Sequence, residues 1–269
     1  MSDKTSSDSE EFRPFRPVAE LLAALRFLTR LPIPFARTVE PVRLTSAMRM
    51  FGLAGALIGV INGVVLFGLS YLHLPLMIEA AIVVGVSLMV TGALHEDGLA
   101  DTADGLLGGS SLERRLEIMR DSRIGTYGAA ALMLALVIRI GAYQALHPLP
   151  WQQIILILAG AGAFSRAMVV DMMWATRPAR SDGLSAMAGR PARNDALMAI
   201  VTGGAIAIWA GWAIDPITGI EAMAAALVIT GLLRRAAIKL IGGQTGDICG
   251  AVQVLAELGM LATYLASLR

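Results

Sequence analysis

The sequence predicts an all-α fold: a polytopic integral membrane helical bundle of about seven transmembrane helices, preceded by an N-terminal amphipathic helix. Three observations carry this expectation. Hydrophobic residues make up 56% of the 269-residue chain and charged residues only 16%, against about 25% charged in a soluble domain. Apolar runs close to the ~20 residues of a spanning helix recur along the chain. Basic residues, finally, concentrate in alternate loops.

The rest of the composition removes other classes. A net charge of +1 gives no reason to expect nucleic acid. Cys249 is the single cysteine, which rules out an intrachain disulfide. The opening MSDKTSSDSEEF is polar and lacks the apolar segment of a signal peptide. Residues 1–17 are expected as a disordered N-terminal tail, and 18–269 as a single membrane-embedded domain that carries the catalytic residues.

In residues 18–31, Val18, Leu21, Leu22, Leu25 and Leu28 recur at helical spacing, with Glu20, Arg26 and Arg30 off that stripe. The segment is too short to span, and LPIPF at 31–35 ends it. An interfacial helix and a helix packed on the bundle are equally expected. Spanning runs follow at 51–72, 76–94, 129–146, 154–175, 196–214, 220–233 and 248–267. The first carries Gly55, Gly59 and Gly63 at four-residue spacing, a pattern for close helix packing that is also compatible with a homo-oligomer.

Of the 22 Lys and Arg, 19 fall before the first run or after the second, fourth and sixth. The intervening loops near 73–75, 147–153 and 215–219 contain none. The positive-inside rule therefore places the N-terminus and the long charged loops in the cytoplasm.

The second run leads into His95-Glu96-Asp97-Gly98-Leu99-Ala100-Asp101-Thr102-Ala103-Asp104-Gly105. On a continuing helix Asp97, Asp101 and Asp104 lie within about 60° of one another. Carboxylates that close repel unless a cation sits between them, and Mg²⁺ favours a few carboxylates completed by substrate phosphates and water. Gly98 and Gly105 are expected to leave room for a phosphate ester. The plain alternative is a solvated acidic helix end.

Arg120, Asp121, Ser122, Arg123 and Thr126 lie in one following loop, with Gly125 and Gly128 beside them. Guanidinium forks suit phosphate oxygens, although a basic loop with a turn reads the same way. A third loop, 242–247, offers Gln244, Thr245 and Asp247 at a helix start, where backbone N–H groups can receive an anion. Asp247 there would by default cap the helix, and the spacing is not that of a nucleotide-binding glycine loop.

HEDGLADTADG at 95–105, RDSRIGTYG at 120–128, GGQTGDICGA at 242–251 and FLTRLPIP at 27–34 together resemble the cobalamin synthase family, over about residues 20–260. That resemblance implies an adenosylcobinamide-GDP ribazoletransferase of the bacterial inner (cytoplasmic) membrane, multi-pass, with its active site cytoplasmic. It implies Mg²⁺ as cofactor. The substrates would be adenosylcobinamide-GDP and α-ribazole or its 5′-phosphate, the products GMP and adenosylcobalamin or its 5′-phosphate. Asp97, Asp101, Asp104 and the additional acid Glu96 would be metal ligands. Arg120, Ser122, Arg123, Thr126, Gln244, Thr245 and Asp247 would bind substrate. Asp104 and Asp121 are the candidates for a catalytic base, needed only if the acceptor is a hydroxyl.

Arg139, Arg166 and Glu257 fall inside apolar runs, each roughly 14–15 Å deep, where an unpaired charge costs at least ~2.5–3.5 kcal/mol. Glu257 is therefore expected to pair with Arg139, Arg166 or both in a buried charge layer. Glu79 is expected to snorkel to the opposite surface, and Asp171 to lie near the cytoplasmic end of the fourth run, where it could join the site. Two rival functions remain. Asp101-Thr102-Ala103-Asp104-Gly105 copies the start of the CDP-alcohol phosphotransferase signature, but Gly108-Gly109 replaces its Ala-Arg. A cation or corrinoid transporter would instead place acids on broken helices at mid-membrane.

Overall fold

The structure, a computed structural model, describes residues 15–33 and 42–268. Its helices are α1 (Pro17–Leu28), α2 (Leu44–Ala47), α3 (Phe51–Ser70), α4 (Leu76–Thr91), α5 (Leu94–Gly108) and α6 (Leu112–Ile118), then α7 (Thr126–Leu146) and α8 (Trp151–Ala175). The chain closes with α9 (Leu184–Ala188), α10 (Arg193–Trp212), α11 (Thr218–Ile241) and α12 (Gly246–Ala266). A 3₁₀ turn at Met48–Met50 joins α2 to α3.

The protein is a multi-pass helical membrane bundle, but the expected count of seven spans is not what the described residues give. Five helical segments are long and apolar enough to cross a bilayer: 44–70, α7, α8, α10 and α12. A sixth exists only if α4 and α5 are taken together, and these are bent by 91°. The bend follows from Gly92 and Ala93, both left-handed at φ 66° and 53°, a conformation that a residue with a Cβ rarely adopts. α11 has the length, but Glu221 in its first turn and Arg234, Arg235 and Lys239 near its end shorten the apolar stretch. Outward-facing Met133, Leu134, Val137, Val201, Trp209, Val228 and Leu232 are exposed on α7, α10 and α11, as lipid-facing positions should be.

α8 is the central post, buried without interruption from Ile157 to Val170. Its Ala159-Gly160-Ala161-Gly162-Ala163 run lets α3 approach backbone to backbone. A Cβ on Gly55 would stand 2.1 Å from the Gly162 carbonyl oxygen, and one on Gly59 2.1 Å from that of Leu158. The glycine stripe is therefore spent inside the bundle, on α8.

α1 packs on the bundle through Ala19, Glu20, Ala24 and Leu28, while Val18 faces outward. Arg49 draws Glu20 inward at 3.5 Å and holds Asp195 of α10 at 2.9 Å. The helix stops at Leu28, and the Arg30 N–H donates to the Val90 carbonyl at 2.7 Å. The Arg30 side chain fills the space a Cβ on Gly92 would need, so this segment braces the α4–α5 bend. Residues 1–14 of the expected tail and 34–41 lie outside the described residues.

One smaller expectation is corrected, and the fourth run's Asp171 gains a partner. Glu79 does not snorkel; it is buried and meets His147 Nε2 at 3.3 Å. Asp171 is tied to Arg234 of α11.

Candidate functional site

α5 runs beyond the bend, outside the membrane-crossing helices, and carries the acids. Its helical repeat places Asp97, Asp101 and Asp104 along one face with graded exposure: Asp97 exposed, Asp101 half-buried, Asp104 buried. Opposite them lies the first turn of α12. A Cβ on Gly98 would come within 2.8 Å of the Asp247 carbonyl oxygen, and one on Gly250 within 3.0 Å of that of His95. Gly98 is thus a crossing point of two helices. Gly105 is likewise filled, by Met119 and the Arg115 carbonyl. Neither glycine leaves space for a phosphate ester, as the sequence had suggested.

This crossing brings a fourth carboxylate to the face. Thr245, not Asp247, caps α12: its hydroxyl accepts the Ile248 N–H at 3.3 Å. Asp247 is therefore free to turn toward α5, where it receives the Thr245 hydroxyl at 3.1 Å and Arg180 Nη2 at 3.4 Å. Burial pushes the Asp101 carboxyl up to about 7, helped by the like charges of Asp97, Asp247 and Asp104 and opposed by Arg180.

Asp104 has a second task. Its Oδ2 accepts the Gly125 N–H at 2.7 Å and its Oδ1 the Gly128 N–H at 2.9 Å. These are donors of the first turn of α7, which lacks a side-chain cap of its own. A Cβ on Gly125 or Gly128 would lie 2.4 or 2.2 Å from an Asp104 oxygen. The two glycines of the second motif are explained by that contact.

The other residues of that motif lie outward. Ser122, Arg123 and Thr126 are exposed. Arg123 grips Asp121 at 2.6 Å and, by its hydrogen bonds, holds that carboxyl down to about 2. Arg120 forks onto both oxygens of Asp182, at 2.7 and 2.9 Å. In the third motif Gln244 and Thr245 are buried. The Gln244 backbone pairs with the loop after α8, donating to the Arg177 carbonyl at 2.9 Å and accepting from the Ala179 N–H at 2.8 Å. That pairing positions Arg180 and Asp182.

Glu96, next to Asp97, turns the other way. It is buried against Arg139 at 2.6 Å, while Glu257 lies 3.6 Å from Arg139 and 3.5 Å from Arg166. Gln253 donates to Glu257 at 2.6 Å and to Ser165 at 3.3 Å. Glu96 thus belongs to the buried charge layer beneath the acid face.

Arg180 and Asp182 escaped sequence reading, because in the sequence they are ordinary members of a charged loop. Arg180 offers a further clue: its Nη1 is buried with no hydrogen-bond partner. Among the described residues no three Asp, Glu, His or Cys side chains converge closely enough to cage a metal ion unaided. Mg²⁺ needs no such cage when a diphosphate supplies its other oxygens. Oxygen donors, a repelling acid face and an orphaned guanidinium N–H fit Mg²⁺ together with phosphate.

Comparison with known proteins identifies the family. The profile of the family described as cobalamin-5-phosphate synthase matches residues 20–265. A protein of Azorhizobium caulinodans is 42% identical over 253 residues, 91% of this chain and 95% of the relative. One of Bradyrhizobium diazoefficiens is 40% identical over 244 residues, 91% and 92% of the two chains. One of Xanthobacter autotrophicus is 41% identical over 265 residues, 91% and 95%. All three are named adenosylcobinamide-GDP ribazoletransferase. No solved structure matches the chain. With its motifs spread along the whole matched length, the chain belongs to the cobalamin-5-phosphate synthase family.

Proposed function

We propose that the chain transfers the phosphocobinamide group of adenosylcobinamide-GDP to α-ribazole or its 5′-phosphate, with release of GMP. The observation that carries this reading is the acid face, where Asp97, Asp104 and, across the helix crossing, Asp247 all act on Asp101, and Arg180 is paired with Asp247. Such a face accepts a diphosphate only with a cation. The distribution of Lys and Arg supports a cytoplasmic location for it, in the inner membrane of a bacterium.

In the step proposed, a ribose hydroxyl oxygen bonds to the phosphorus bearing cobinamide. The bond from that phosphorus to the bridging oxygen breaks, and GMP departs with that oxygen. A product described as a 5-phosphate keeps the acceptor's phosphate, so a different ribose hydroxyl attacks. Its proton must then be taken up with either acceptor, which revises the expectation that a phosphate acceptor needs no base. Asp121, held near 2 beside Arg123, is poorly suited to that role. Both Asp104 oxygens already accept backbone N–H groups. Asp101, half-buried between Asp97 and Asp104 on the same face, is the remaining carboxylate, and we assign the proton to it.

Asp97 and Asp104, with Asp247 opposite, would hold Mg²⁺. When bound, the metal neutralises charge on the diphosphate and improves GMP as a leaving group. Arg180 would direct its free Nη1–H to a phosphate oxygen. Arg120 and Arg123 would do so only by exchanging Asp182 and Asp121 for substrate. Glu96, committed to Arg139, is left out of the metal set.

The test is turnover with adenosylcobinamide-GDP, α-ribazole and Mg²⁺, read as GMP release. Asp101→Asn should abolish transfer while retaining Mg²⁺-dependent binding of the GDP substrate within about threefold, since a base acts on the reaction and not on binding. Wild-type protein that releases no GMP, or an Asp101→Asn protein that turns over normally, would refute the reading.

A further inference from the structure

The second and third motifs are joined by a segment that belongs to no motif. Residues 177–183 follow α8, and the Arg177 carbonyl and Ala179 N–H pair with the Gln244 backbone at 2.9 and 2.8 Å. Beyond Ala179, among the described residues, no backbone hydrogen bond joins residues 180–183 to a distant part of the chain. Side chains hold them instead. Arg180 lies 3.4 Å from Asp247, and Arg120 Nη2 of the second motif lies 2.7 and 2.9 Å from the two Asp182 oxygens. Gly183, left-handed at φ 94°, turns the segment back over Arg180: a Cβ there would stand 3.2 Å from the Arg180 Nε. Arg120 and Asp182 are more than half exposed, at 52% and 61%. Hydrogen bonding to Arg120 holds the Asp182 carboxyl below the usual aspartate range.

We propose that Asp182 is a placeholder for a phosphate group, and that the diphosphate of the GDP substrate displaces it from Arg120. The inference rests on the function proposed above and names the residue with which one of its substrates must compete. Three observations support it. Asp182 already offers Arg120 two oxygens on one centre, as a phosphate does to a guanidinium. Arg180 stands two residues before Asp182 with its Nη1 buried and without a hydrogen-bond partner, so an anion arriving there finds a second donor. The exchange also runs easily in one direction. An exposed ion pair is held weakly against water, whereas a diphosphate brings two anionic groups to two guanidinium groups. The Arg123–Asp121 pair is different in kind. Its members are two residues apart, and the Arg123 backbone N–H also donates to Asp121 at 3.1 Å, so it is a local turn that needs no ligand to explain it. Arg120 and Asp182 are 62 residues apart.

The exchange is tested with full-length protein in lipid nanodiscs. Binding of adenosylcobinamide-GDP with Mg²⁺ is measured calorimetrically, and steady-state KM is measured for each substrate. Asp182→Asn should tighten binding of the GDP substrate about fivefold, the scale of an exposed ion pair, and lower its KM equally. KM for α-ribazole should change less than about twofold, because that substrate does not compete for Arg120. Arg120→Gln should weaken binding of the GDP substrate roughly tenfold. Added to Arg120→Gln, Asp182→Asn should then have no effect, because no guanidinium is left to compete for. Asp182→Glu, which keeps the charge, should bind as wild type does, and a thermal melt of every variant separates exchange from misfolding. The proposal is overturned if Asp182→Asn leaves binding unchanged in a folded protein. It is equally overturned if that variant binds more weakly, which would make Asp182 a positioning residue for Arg120. Tightening that persists beside Arg120→Gln would reduce it to a general effect of charge and overturn it too. Wild-type protein that binds the GDP substrate with the expected variant effects but releases no GMP would refute the transfer reaction and leave the placeholder standing. Normal turnover with no effect of Asp182→Asn would do the reverse.

Discussion

Glu96 and Asp97 are neighbours in sequence and belong to opposite electrostatic regimes. Glu96 enters a buried layer in which Arg139 and Arg166 answer Glu96 and Glu257. Asp97 joins a face on which, among the described residues, Asp247 has an ion pair with Arg180 and the like charges of Asp97, Asp104 and Asp247 act on Asp101. In the layer the protein neutralises itself, as charges within a membrane bundle must. On the face it leaves the balance to what binds. The contrast separates charges that hold helices together from charges held ready for a ligand, and residue type alone would not have sorted them.

That comparison can be broken by experiment. The largest effect is expected on the face: Asp101→Asn should lower transfer by about 10³-fold or more. Its melting temperature should not fall, because the change removes one of several repelling charges. In the layer the outcome should invert. Glu257→Ala strands the buried guanidinium of Arg166, while Arg139 keeps Glu96, and should cost about 3–5 kcal/mol, seen as a lower melting temperature and poor recovery in detergent. A stable Glu257→Ala protein would show that the layer does not hold the helices.

Gly128→Ala probes the joint between face and bundle. Its Cβ would stand 2.2 Å from an Asp104 oxygen, so α7 must withdraw from α5. Transfer should drop about 10²-fold, as small misplacements of catalytic groups do, with less loss of stability than Glu257→Ala.

A smaller effect is the pH dependence that Asp101 confers. An aspartate with a raised folded-state value stabilises the fold fully only below its unfolded value near 3.9. Asp101 should therefore lose stability for the metal-free protein as pH rises from about 4 to about 7, with no further change above. The difference between wild type and Asp101→Asn in melting scans isolates this slope. Mg²⁺ should raise the wild-type melting temperature more at pH 8 than at pH 5.5. Equal protection at both would argue against a cation on the acid face. The smallest effect is expected at Asp121. Asp121→Asn should leave the acid limb of the kcat/KM profile in place, since its carboxyl is ionised throughout that range.

Much of this protein was legible in its sequence because the relevant physics is local. Apolar runs of spanning length fixed the helical membrane fold, and charge asymmetry along the chain gave an expected orientation. The helical repeat put Asp97, Asp101 and Asp104 on one face, which needs only consecutive residues. The sequence could not show that Gly92 and Ala93 would turn the chain by 91°, because glycine and alanine are ordinary residues in membrane helices. Nor could it show that Gly98 and Gly250 let α5 and α12 touch, bringing Asp247 and Arg180 to the acids. It gave no sign that Asp104 caps α7, or that Asp182 lies on Arg120. Those outcomes depend on which backbones approach one another across long stretches of chain. Only the packing of small residues in the assembled bundle decides that.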